Sequence, residues 1–149
     1  MKRIIGLILA VTLAGAFAVA SQARTDASSS RTRALHATKE CTSTYHGQPG
    51  EFCTIEDSNV GAIRAGSKVF YFEPATADGL VSDLVLYAGP GIVALGHVTL
   101  SWATFTGVIT FRGGSGDFRG FRARADVTYD AQHDRWHWDG TYRLRGHGH

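Results

Sequence analysis

The chain is poor in proline, methionine, cysteine and net charge. Three prolines against eighteen glycines, with no Gly-X-Y period, exclude a collagen-like chain and a proline-rich linker. A hydrophobic fraction of 44% with 19% charged residues excludes an intrinsically disordered protein. Beyond position 37 no 3.6-residue apolar period is sustained, which excludes a coiled coil. At 149 residues the chain is too short for a multidomain enzyme. It has no Gly-x-Ser-x-Gly elbow, phosphate-binding loop or dinucleotide fingerprint, so those chemistries have no anchor.

The N-terminus does carry an apolar run. Lys2 and Arg3 precede Ile4–Ala20, apolar except for Thr12, and small residues follow at Ala18-Val19-Ala20 and Ser21-Gln22-Ala23. This layout predicts a secretory signal peptide over residues 1–23 and a secreted or periplasmic product. An uncleaved membrane anchor is the alternative, since ~17–20 apolar residues can just span a bilayer. After Ala23 no apolar stretch is long enough to span, so no membrane contact is expected once the signal is cleaved.

Cleavage would also remove two of the fifteen basic residues and leave thirteen of each sign. The faint positive charge is therefore no nucleic-acid footprint, and no nucleic-acid partner is expected. In an exported chain the two cysteines, Cys41 and Cys53, are expected to form a disulfide. Closing a loop of that length is worth about 3 kcal/mol.

Residues 24–36 are rich in Ser, Arg, Thr and Ala and read as a flexible lead-in. The domain is expected over 37–146, with a frayed tail at 147–149. Within the domain, apolar alternation sits between glycine turns. Trp136, Trp138, Gly140, Tyr142 and Leu144 share one face, and Arg135, His137, Asp139, Thr141 and Arg143 the other. That period of two is a strand and cannot be a helix. Phe118–Tyr129 and Trp102–Phe111 repeat it, joined by a glycine turn at Arg112–Asp117. Ile92–Leu100, Val81–Tyr87 and Lys68–Phe72 add three strands; Phe52–Glu56 and Asn59–Arg64 are weaker. Short strands at this spacing predict an all-β antiparallel sandwich or barrel, with large and small side chains alternating to fill a tapered interior.

Gly107–Phe111, followed by Arg112-Gly113-Gly114-Ser115-Gly116-Asp117-Phe118-Arg119, resembles the strand and glycine-turn hairpin of the allene oxide cyclase and dirigent barrel superfamily. Trp138-Asp139-Gly140-Thr141-Tyr142 resembles the closing strand of small exported bacterial members. The likeness covers Val93–Leu144. It implies a calycin-like, eight-stranded antiparallel barrel with a hydrophobic cavity, a trimer as in the plant members, and an isomerase or cyclase acting on lipophilic substrates. It also places Arg122 at a position where dirigent proteins carry arginine, although Phe121-Arg122-Ala123 stands here for the usual Ala-Arg-Gly.

Phe105, Phe111, Trp136, Trp138 and Tyr142 are candidates to line a ligand cavity, or else simply fill a narrow barrel. Asp83 lies among apolar neighbours and His97 falls on the next strand, so the two could form an acid–base pair. Asp83, His97 and Arg122 are thus the polar candidates for catalysis. Arg122, Arg124, Asp126, His137 and Asp139 point away from the tryptophans by strict alternation, which predicts a solvated outer face with cross-strand ion pairs. His133, His137, His147 and His149 lack a Cys or carboxylate at metal-ligand spacing, so neither a metal nor another cofactor is expected. The function expected is binding or orienting a small hydrophobic molecule. A cyclase-like enzyme and a structural barrel with a filled core are the alternatives.

Overall fold

Alternating side chains, punctuated by turns, set the architecture of the computed structural model, which describes residues 31–144. The segment expected to be a signal peptide, most of the expected lead-in, and His147 and His149 lie outside the described residues. The strands are β1 (Arg33–Glu40), β2 (Phe52–Ser58), β3 (Lys68–Tyr71), β4 (Gly79–Gly89), β5 (Ile92–Ser101), β6 (Thr106–Gly114), β7 (Arg122–Asp130) and β8 (Arg135–Arg143). Each pairs antiparallel with its neighbour in sequence, and β1 closes on β8, giving a closed eight-stranded barrel. Closure leaves no open sheet edge.

The eighth strand is not the one the sequence suggested. Asn59–Arg64 forms no strand; it is a turn whose Val60 and Ile63 are buried at one end of the barrel. The missing strand is β1, whose first four residues were expected to be flexible lead-in. It is held on both sides, with Leu35 opposite Gly140, Ala37 opposite Trp138 and Lys39 opposite Trp136. Two further boundaries move. Strand β6 begins at Thr106, so Trp102–Phe105 is a loop, and Gly116–Phe118 is a short 3-10 turn that delays β7 to Arg122.

The interior alternates large with small as a taper requires. Trp138, Phe111, Phe121 and Tyr142 are buried beside Ala37, Ala94, Ala125 and the inward Gly140. A Cβ on Gly140 would lie 2.1 Å from the Arg124 carbonyl oxygen, so nothing larger fits where β7 and β8 approach. Phe118 and Phe121 meet edge to face at 5.2 Å and plug the end of the barrel that carries the 3-10 turn. The opposite end, where β1 runs out into Cys41, is the mouth.

Candidate aromatic mouth above a buried lysine

The mouth is built by three connections. The loop after β1 brings Cys41 and Tyr45; the β5–β6 loop brings Trp102 and Phe105; the ends of β7 and β8 bring Tyr129 and Trp136. Four of these rings close a circuit. Trp102 meets Phe105 at 6.4 Å between ring centroids, Phe105 meets Tyr129 at 5.8 Å, Tyr129 meets Trp136 at 4.8 Å, and Trp136 returns to Trp102 at 6.3 Å. Around them opens a cavity of about 500 Å³. That volume is in the range of small-molecule sites.

Hydrogen bonds hold the rings in place. Trp102 Nε1 donates to the Thr76 carbonyl at 2.8 Å. The Tyr129 hydroxyl donates to Asp134 Oδ1 at 2.5 Å, and Thr42 donates to Asp134 Oδ2 at 3.0 Å. Phe105 and Asp134 both occupy the left-handed region, at φ 51° and 52°. A phenylalanine there is strained, and such strain collects where a side chain is being aimed. Phe105 accordingly stays 48% exposed, with its ring at the rim instead of in the core.

Beneath the rings lies Lys39, an inward residue of β1. It is buried, and among the described residues no carboxylate pairs with it. Its Nζ donates to the Tyr71 hydroxyl at 2.7 Å and lies 3.2 and 3.5 Å from the sulfurs of Cys41 and Cys53. It also sits 5.3 to 5.8 Å from the ring centroids of Tyr71, Trp136 and Trp138. Burial alone pulls its pKa from 10.5 down to about 7. Burial, followed by the charge of Glu51, pushes Tyr45 up to about 12, so its phenol remains protonated. The Tyr45 hydroxyl is buried without a partner among the described residues, and Tyr45 lines the same space.

Cys41 and Cys53 form the disulfide expected from the sequence. It ties the loop after β1 to β2 beside the mouth and is compatible with an oxidising compartment.

The candidate residues separate into three places. Phe105 and Trp136 line the mouth. Phe111, Trp138 and Tyr142 are buried lower in the barrel, where Phe111 packs on Trp138 at 5.8 Å and its lumen-facing neighbours fill the space. Asp83, His97 and Arg122 lie on the outer wall. Asp83 and His97 are opposite one another across β4 and β5, and the ring Nδ1–H donates to Oδ1 at 2.8 Å. The carboxylate is 73% exposed, however, so its apolar strand neighbours do not bury it. The pair flanks an outer groove of about 490 Å³ with Phe72, Leu95 and Arg112. Such exposed pairs contribute about 0.2–1 kcal/mol.

The outer face of β7 and β8 meets the expectation in part. His137 reaches Asp130 of β7 at 3.7 Å, whereas Arg122 faces Arg143 and Asp126 faces Asp139, so like charges stand opposite. Asp139 pairs with His36 of β1 at 2.7 Å, and neither Arg122 nor Arg124 has an ion-pair partner among the described residues. Among those residues no three His, Cys, Asp or Glu side chains converge as metal ligands.

Lys39 and Tyr45 are absent from the sequence candidates. The usable signal was Leu35, Ala37, Lys39 and Cys41 at alternate positions, which puts a lysine on the apolar face of a strand. No family model, curated protein or solved structure matches this chain.

Proposed function

We propose that this protein is an exported barrel that holds a small, largely apolar molecule in its aromatic mouth. The circuit of Trp102, Phe105, Tyr129 and Trp136 around a cavity of about 500 Å³ carries the reading. Ring faces supply large apolar area at low conformational cost, and the tethered Trp102 and Tyr129 are already oriented for a planar ligand. The amine of Lys39 and the phenol of Tyr45 offer donors to one polar end of that ligand. The N-terminal layout and the Cys41–Cys53 disulfide support export.

The test is calorimetric titration with 2-methylnaphthalene of the wild type and of Phe105→Gly. The variant removes a rim ring at a backbone position glycine prefers, so the fold is kept. Saturable binding by the wild type and a roughly tenfold loss in the variant are expected. Equal binding by both would remove the mouth from the account.

The filled lower barrel favours a second reading, a structural barrel without a ligand. Absence of binding by the wild type would select it. An isomerase or cyclase built on Asp83, His97 and Arg122 draws no support from residues on the outer wall.

A further inference from the structure

Two cavities meet at the top of the barrel. The open mouth and a small chamber of about 30 Å³ share four wall residues, Cys41, Tyr45, Trp102 and Trp136. Lys39 and Tyr71 line the chamber but not the mouth. The chamber is about the size of one water molecule, and hence of a formyl or keto group. A molecule whose ring system fills the mouth would therefore present a terminal carbonyl to the Lys39 nitrogen.

Resting on the mouth-binding reading, we infer that Lys39 is a covalent capture site for apolar aldehydes and ketones, held as an imine. The geometry suits that chemistry better than salt bridging. A lysine kept for charge pairing needs a carboxylate, and none of the described residues supplies one. A nucleophilic amine needs instead to be neutral and desolvated. Lys39 is buried among rings and sulfurs, and with its pKa drawn to about 7 a large share is unprotonated at neutral pH. A cationic ligand is disfavoured by the same nitrogen, since the protonated fraction would repel it.

The step balances without a co-reactant. The Nζ lone pair adds to the carbonyl carbon, forming the C–N bond and opening the C=O double bond, and one nitrogen proton passes to the oxygen to give a carbinolamine. The second nitrogen proton passes to that hydroxyl, the C–O bond breaks, and water departs to leave the neutral imine; nothing is oxidised or reduced. Tyr45 lines the chamber, and its hydroxyl, buried without a partner among the described residues, is the donor available to the carbonyl oxygen. The Tyr71 hydroxyl, 2.7 Å from Nζ, is placed to relay the proton.

The lysine count makes the test direct. The described residues contain only Lys39 and Lys68, and Lys68 is exposed on the outer wall over Phe52. The secreted protein is incubated at pH 7 with 2-naphthaldehyde and cyanoborohydride, then mapped by peptide mass spectrometry. At least tenfold faster labelling of Lys39 than of Lys68 is expected, with the rate rising from pH 6 to pH 8 and falling under excess 2-methylnaphthalene. Labelling of Lys68 or the terminal amine in preference to Lys39 overturns the inference. If 2-methylnaphthalene binds while Lys39 stays unlabelled, the capture site falls and the mouth reading stands. If 2-methylnaphthalene does not bind, the mouth reading falls with it. Lys39→Met should lose the adduct; the wild-type peptide map decides the matter even if that variant folds poorly.

Discussion

Lys39 Nζ lies 2.7 Å from the Tyr71 hydroxyl, buried at the top of a barrel whose lower part is filled by its own side chains. A charge there is opposed by burial and by the lack of a carboxylate partner among the described residues, and it therefore leaves a mark on stability. The ordinary lysine pKa of 10.5 is drawn to about 7 in the folded chain. Between those values the unfolded chain holds a proton that the folded chain does not. Stability is thus predicted to rise with pH across the window from 7 to 10.5, by on the order of 5 kcal/mol. Below pH 7 both states are protonated and the full cost is present. Urea midpoints at pH 6, 8 and 10 read this directly.

Lys39→Met follows from the same balance. Methionine keeps much of the stem's volume and removes the charge, so at pH 6 the variant should be more stable than wild type by about 2 kcal/mol. The difference should reverse towards pH 10, where the wild type has gained most of its pH-dependent stability. Equal midpoints at every pH would mean that the ammonium is solvated.

The disulfide is expected to contribute through the chain it closes. Replacing both Cys41 and Cys53 by Ala should lower stability by about 3 kcal/mol, as should reduction of the wild type. A urea series on all three forms measures it. Loss of the bond should also loosen the loop carrying Tyr45 and weaken 2-methylnaphthalene binding.

Trp138 and Phe105 are predicted to part company. Trp138 is fully buried against Phe111, so Trp138→Ala should cost about 3–5 kcal/mol. Phe105→Gly empties no core and relieves a left-handed phenylalanine, so its stability should lie within about 1 kcal/mol of wild type. Binding should respond in the opposite order once folded protein is compared, and thermal melts beside titrations separate the two effects.

On the outer wall, Asp83→Asn should change stability by less than about 1 kcal/mol and leave mouth binding untouched. A tenfold drop in 2-methylnaphthalene affinity would show that the outer groove communicates with the lumen.

Much of the barrel is legible in the sequence, and the reasons are local. Trp136, Trp138, Gly140 and Tyr142 alternate without interruption, and β8 follows. The pairing of Asp83 with His97 was readable because a short glycine turn fixes the register of β4 on β5. Strand β1 was not legible. Its inward side chains are Leu35, Ala37 and Lys39, and its exposed start continues the Ser- and Arg-rich composition before it. Only closure against β8 makes it a strand. Val60, Ala62 and Ile63 mislead in the other direction, being apolar because a turn buries them at the barrel's end. At the mouth, Phe105 lies in the alternating pattern of β6, yet the chain turns there and aims its ring at the rim. Lys39 could be read as a site residue only after β1 was known to face the lumen.

The central claim is that the mouth, and not the filled lumen, receives the ligand. The three tryptophans, Trp102, Trp136 and Trp138, give it an internal scale, two at the mouth and one below it. In nitrogen–proton correlation spectra, saturating 2-methylnaphthalene is predicted to move the indole signals of Trp102 and Trp136 and leave that of Trp138 in place. Three unmoved signals, or a shift confined to Trp138, would contradict the account.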